Sequence, residues 1–409
     1  MFQLILQAFL CSVVVARTFA DDLSTYSTKV YLPYASKFSP NKTPTINGTI
    51  EGKSFVFPVD TSSTGLLIGA PQLPTISNTT GTPISQYLGK TLYTGRFVRL
   101  NITFSGKNNS ARSEVLVHIV DKSTSCPKYN VAKNTGRCED AKAKVNDVSK
   151  VLTLGIGFGH NLPNSGLPYA IPSHNPFLNI QEINGNKTND KDFRNGYTLS
   201  TKGIYLGLTS NNTAKYNWVK LDKGTTGDFR DWAKVRTQFK IDEQGSYNGS
   251  ALIDTTTGYM YVQASPAGSV PNTTVADTIH KPLDKNKKLT VVKPGTHLDF
   301  GFPTGREQEG VAGFDFKVGD KKKGVPKWVF PTRVGPGPHV VMGRNFLEGF
   351  SVAFDAAGGR YGFKCLECGK AESGKAKGKK ATSKKETSKK ETSKKETSKK
   401  KLDGKGAGA

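Results

Sequence analysis

Two short segments of this chain repeat one pattern. Pro58-Val59-Asp60-Thr61-Ser62-Ser63-Thr64-Gly65-Leu66-Leu67-Ile68 and Leu252-Ile253-Asp254-Thr255-Thr256-Thr257-Gly258-Tyr259-Met260-Tyr261 each run an apolar strand into an acid. Hydroxylated residues and a glycine follow, and then apolar residues resume. A carboxylate closing an apolar strand is costly to bury unless its neighbours stabilise it. Two of them in matching contexts imply two halves of a fold that meet at a pair of acids. Such a pair can share one proton, because two like charges in contact do not both ionise easily.

The rest of the chain says what scaffold could carry that pair. At 409 residues it can bury a large core, and its 43 glycines with 35% hydrophobic residues favour a loop-rich β protein. Short β-branched or aromatic runs at 54–59, 97–104, 113–120, 203–208, 252–262 and 350–354 are bounded by Gly, Asn, Pro or Ser and read as strands. No long amphipathic helical stretch interrupts them. The expected fold class is therefore all-β.

The ends of the chain suggest a secreted protein. Leu4 to Val15 form an apolar core, and Thr18-Phe19-Ala20 offers small residues at the cleavage position, so residues 1–20 read as a signal peptide. No later segment is long and apolar enough to span a membrane. Nine Asn-x-Ser/Thr sequons, at Asn41, Asn47, Asn78, Asn101, Asn108, Asn186, Asn211, Asn248 and Asn272, fit a glycosylated extracellular chain and place those segments on the surface. Loss of Cys11 with the signal peptide leaves Cys126, Cys138, Cys365 and Cys368. In an oxidising compartment the simplest of three connectivities joins Cys126 to Cys138 and Cys365 to Cys368; a redox or zinc role for Cys365-x-x-Cys368 is the alternative.

From Gly369 the composition changes. The tail carries 15 lysines against 5 acids, and so ten of the formal +25 charges, with no aromatic or β-branched aliphatic residue. Such a segment cannot bury enough apolar surface to fold alone, so 369–409 is expected to be disordered. No DNA-binding motif or aromatic platform accompanies it, and no nucleic-acid partner is expected. Anionic wall polysaccharide or a membrane surface suits its charge; a merely solubilising tail is the plain alternative.

A lone Asp-Thr-Ser or Asp-Thr-Thr is an ordinary solvated turn. Here five landmarks occur in order: Gly48-Thr49-Ile50-Glu51-Gly52-Lys53-Ser54-Phe55 before the first motif; Val151-Leu152-Thr153-Leu154-Gly155-Ile156-Gly157-Phe158-Gly159; Gly203-Ile204-Tyr205-Leu206-Gly207 followed by Tyr216-Asn217-Trp218-Val219; the second motif; and Val340-Val341-Met342-Gly343-Arg344-Asn345-Phe346-Leu347 continuing to Phe350-Ser351-Val352-Ala353-Phe354-Asp355 and Arg360-Tyr361-Gly362-Phe363. In this the chain resembles the pepsin-like aspartic proteases, from about Gly48 to Phe363. The resemblance implies a bilobal β fold with lobes at 21–200 and 201–368 and a cleft between them. It implies a monomeric endopeptidase acting on peptide or protein substrates, with no cofactor and no metal. Asp60 and Asp254 would be its catalytic pair, one ionised as general base on a shared water and the other protonated as acid. Thr61 and Thr255 match the threonines that cross-brace the two loops, and Ser63 and Thr257 the hydroxyls on the outer carboxylate oxygens. Tyr87 is the candidate flap tyrosine, its hydroxyl expected in the site's hydrogen-bond network, with Tyr93 as the competing choice.

The chain also departs from that pattern. The family's Asp-Thr-Gly is Asp-Thr-Ser at Ser62 and Asp-Thr-Thr at Thr256, Leu67 replaces a frequent tryptophan, and Leu152-Thr153 stands where an acid–glycine pair is usual. Glycine lets the backbone N–H approach the carboxylate unobstructed; a β-branched Thr256 is stiffer and is expected to shift the second loop or spread the carboxylates. Asp21 to about Thr45 is short for an inhibitory pro-segment. A pepsin-fold binding protein with weakened catalysis is thus the alternative reading, and a structural wall glycoprotein a third. The six histidines, His118, His160, His174, His280, His297 and His339, show no metal-ligand spacing.

Overall fold

The computed structural model of the chain describes residues 23–131, 136–161, 169–264, 270–279, 287–302, 312–332 and 337–366. The signal-peptide and tail readings, and Cys368, lie outside them. Almost all of the described structure is β, arranged as barrel and half-barrel sheets; one α-helix, Phe346–Gly349, occurs among the described residues. The expected strand runs are found, with the 252–262 run split by a loop into Tyr247–Asp254 and Met260–Gln263.

Two sheets share one connectivity. In the first, Lys53–Asp60 runs parallel to Leu152–Ile156, which pairs antiparallel with Thr64–Gly69, which runs parallel to Ser110–Ser125. In the second, Tyr247–Asp254 runs parallel to His339–Gly343, which pairs antiparallel with Met260–Gln263, which runs parallel to Val329–Pro331. On the far side of each Asp strand lies its antiparallel predecessor, Thr45–Ile50 in one case and Val235–Ile241 in the other. The repeat read in the sequence is therefore a repeat of sheet topology. Strict alternation builds these layers: Val235–Ile241 buries every second residue, as period-2 side-chain geometry requires of a sheet with one covered face.

A third sheet of six strands joins material from across the chain, in the order Val30–Pro33, Gly203–Leu206, Gly196–Ser200, Phe350–Asp355, Arg360–Cys365, Asn217–Lys220. The segments containing Gly203 and Asn217 were expected as a strand pair. They lie in one sheet but do not pair with each other: three strands intervene. The expected lobe boundary at 200/201 falls in the tight turn between Ser200 and Gly203, which pair directly.

This third sheet supports the first Asp loop from behind. Phe354 stacks on Phe158 with ring centroids 3.9 Å apart, and the Tyr197 hydroxyl donates to the Ile156 carbonyl at 2.5 Å. Asn175 Nδ2 donates to the same carbonyl at 2.9 Å. Asp355, fully buried at the end of an interior strand, accepts from both Arg194 and Arg360. Breaking such a buried pair strands a charge and is costly.

Candidate active site

Each Asp sits at the end of its strand, opposite a glycine of the parallel neighbour: Asp60 faces Gly155 and Asp254 faces Gly343. Neither glycine has room for a side chain. A Cβ at Gly155 would lie 2.6 Å from the Gly65 carbonyl and 2.7 Å from Ser63 Oγ, and one at Gly343 would strike the Tyr259 carbonyl. The close crossing under each loop thus explains the glycine at each position.

The two loops are locked together by Thr61 and Thr255. Thr61 N donates to Thr255 Oγ1 at 3.1 Å, and Thr255 N donates to Thr61 Oγ1 at 3.0 Å. Each hydroxyl then donates to the carbonyl before the opposite Asp: Thr61 Oγ1 to Ile253 O at 2.5 Å, Thr255 Oγ1 to Val59 O at 2.6 Å. Each threonine side chain therefore serves both halves, and the two aspartates are held at one place. A cavity of about 20 Å³, room for roughly one water, lies behind the brace, lined by Thr61, Ile253, Tyr197 and Lys234.

The carboxylates are dressed unequally. Asp60 Oδ1 accepts from Ser62 N at 2.7 Å and Ser62 Oγ at 2.6 Å, and Oδ2 accepts from Ser63 Oγ at 2.6 Å. Asp254 Oδ1 accepts from Thr256 N and Thr256 Oγ1, both at 2.7 Å. The residues in the glycine position of each loop keep the backbone donor and add a hydroxyl donor. Thr256 turns its hydroxyl onto its own aspartate, as Ser62 does, instead of wedging against it. Thr257 differs from expectation: its hydroxyl accepts from Tyr259 N at 3.3 Å and engages the Tyr261 phenol. Ser63, 3% exposed, keeps its hydroxyl on Asp60.

Burial also separates the two. Asp60 is 5% exposed and Asp254 half-buried. Burial pushes the Asp60 carboxyl upward; its bonds from Ser62 and Ser63 oppose that, and the charge of Asp254 adds to it. Asp60 thus lies within electrostatic reach of Asp254.

Tyr87 lies on the hairpin formed by Thr82–Leu88 and Thr91–Ser105, whose turn residues Gly89 and Lys90 both have positive φ. Its hydroxyl donates to the Cys126 carbonyl at 3.1 Å and its ring packs on Tyr129 with centroids 4.9 Å apart. The expected bond into the acids' network is not made; the hydroxyl is held by the loop that the Cys126–Cys138 disulfide closes. Tyr93, on the partner strand, is half-buried and pairs with Gln86. Cys365 ends the last described strand and is disulfide-bonded. All nine sequon asparagines are exposed.

Two residues near the acids were not singled out from the sequence. His160, buried, places Nε2 3.2 Å from the Thr61 carbonyl, and burial pushes it down to about 3, with nearby Lys234 acting the same way. Arg344 directly follows Gly343 and is 6% exposed. Superposing the two repeats on their glycines would have flagged it, since the residue after Gly155 is the apolar Ile156. Compared with protein-family models and with curated proteins, the chain matches none.

Proposed function

We propose that the chain is an aspartic endopeptidase of the pepsin-like, bilobal type, using Asp60 and Asp254 on a shared water. The observation that carries this reading is the reciprocal brace of Thr61 and Thr255, which holds two strand-end aspartates together from two sheets of the same connectivity. Water bound between the pair loses a proton to the ionised acid as its oxygen attacks the scissile carbonyl, and the protonated acid donates to that carbonyl oxygen. The burial that pushes the Asp60 carboxyl upward supports its part as the donor. Secretion, glycosylation at the exposed sequons and capture of anionic polymer by the lysine tail belong to the same reading.

Peptide hydrolysis between about pH 3 and 6, in the wild type and in Asp60→Asn and Asp254→Asn, tests it. Each substitution should lower kcat/KM by at least about a hundredfold. A wild type without acid-pH hydrolysis, or an Asp60→Asn variant that keeps it, overturns the enzyme reading. One observation favours a second reading, a peptide-binding protein of the same fold: Tyr87 is tied to the disulfide loop and away from the acids. That reading expects peptide binding to survive Asp60→Asn.

A further inference from the structure

Behind the two acids the repeats differ in one residue. After Gly155, level with Asp60, comes Ile156, fully buried; after Gly343, level with Asp254, comes Arg344. Arg344 is built into the second loop. Its backbone N–H donates to the Thr257 carbonyl at 2.8 Å and Nη1 reaches the Thr255 carbonyl at 3.4 Å, the residue next to Asp254. Its Nε has no hydrogen-bond partner among the described residues, and no carboxylate there pairs with it at contact distance.

A guanidinium stays charged in proteins, so a buried one needs compensating charge nearby. Burial pulls Arg344 downward, and the first charge that opposes this is that of Asp254. Two titratable neighbours of the pair offer no competing charge over most of the acid range. Tyr261 is pushed up, chiefly by burial and also by Asp254, and is neutral there. His160, on the Asp60 side, stays neutral down to about 3, and Lys234, which also pushes it down, is a further cation on that side.

We propose that Arg344 is a positioning residue that biases the pair's single negative charge onto Asp254, leaving Asp60 as the proton carrier. This rests on the aspartic-peptidase reading for its catalytic consequence, though not for the placement of charge. The roles of the two acids are then fixed by a buried cation on one side and an apolar residue on the other.

A nearby positive charge favours ionisation, so removing it disfavours ionisation of the pair as a whole. In Arg344→Gln both limbs of the kcat/KM profile should therefore move to higher pH, by roughly one unit. Arg344→Lys, which keeps the charge, should return the profile most of the way. Superimposable wild-type and Arg344→Gln profiles overturn the proposal; so does a lysine variant shifted as far as the glutamine one, because shape and not charge would then matter. Carboxyl-carbon titration of 13C-Asp-labelled protein, assigned with Asp60→Asn and Asp254→Asn, reads the charge without turnover and covers a glutamine variant that fails to fold. Asp254 ionising before Asp60 in the wild type supports the proposal, and the reverse order sinks it. If the wild type does not hydrolyse peptide, the function falls while this titration still decides the charge.

Discussion

The two Asp loops have the same strands, the same crossing glycine and the same brace, yet they present their carboxylates differently. Asp60 is buried and takes hydroxyl bonds on both oxygens; Asp254 is more open, takes its bonds on one oxygen, and has Arg344 behind it. The comparison separates what the fold requires from what the chemistry can vary. Geometry comes from elements that are equal in the two halves, and charge placement from the residues that are not.

The brace is where equality should be most costly to break. Thr255→Val keeps the shape but leaves the Val59 carbonyl without its donor and Thr61 N without its acceptor, in a position that is fully buried. Two stranded groups should cost about 2–4 kcal/mol, read as a lower urea midpoint with unchanged slope. Thr61→Val should cost a similar amount, since its hydroxyl makes the mirror-image bonds. A variant that loses stability by less than its partner by several-fold would show that the halves are not mechanically equivalent.

Acid should act more strongly on the first half. His118 is 1% exposed, bonds Gln86 at 3.0 Å, and is held down to about 4 by burial. The unfolded chain takes up this proton near 6.5 and the folded chain does not until about 4, so stability is lost as pH falls through that window. At pH 5 the cost is about 2 kcal/mol, and His118→Gln should remove it. His160 and His174, also buried and also pushed down chiefly by burial, add to the first half's load; in the second half burial pushes only His339 of the described histidines down, and His297 is half-exposed. Urea unfolding at pH 7 and pH 5 checks this; an unchanged pH slope in His118→Gln refutes it.

What could be read from the sequence was the part set by local pattern. Strand, acid, hydroxyl and glycine follow one another in a fixed order, and so Asp60, Asp254, Thr61, Thr255 and Ser63 were legible, as was the Cys126–Cys138 closure. Features that depend on distant packing were not. Tyr87 is captured by a loop ordered around a disulfide, and Thr257 by the Tyr259 backbone N–H of its own loop and the Tyr261 phenol of the strand after it. Sequential strands usually neighbour one another; the Gly203 and Asn217 strands do not, because segments from 196–200 and from the chain's far end insert between them. Arg344 was hidden for the same reason: it comes under the Asp254 loop, reaching the Thr255 carbonyl, only through the register of parallel strands 89 residues apart in sequence.

The smallest effect is the one that tests the asymmetry most directly. Ser63 and Thr257 occupy equivalent places, but only Ser63 donates to its aspartate. That bond is one of those holding the Asp60 carboxyl below where burial alone would put it. Ser63→Ala should therefore favour the protonated acid and move the acid limb of kcat/KM upward, by roughly half to one pH unit. Thr257→Ala removes an acceptor for Tyr259 N and a partner for the Tyr261 phenol, neither of which carries the shared proton, and its limb should stay within about 0.2 units of wild type. Equal shifts in the two variants would mean that Thr257 also donates to Asp254 in the free protein, and that the two loops are equivalent there.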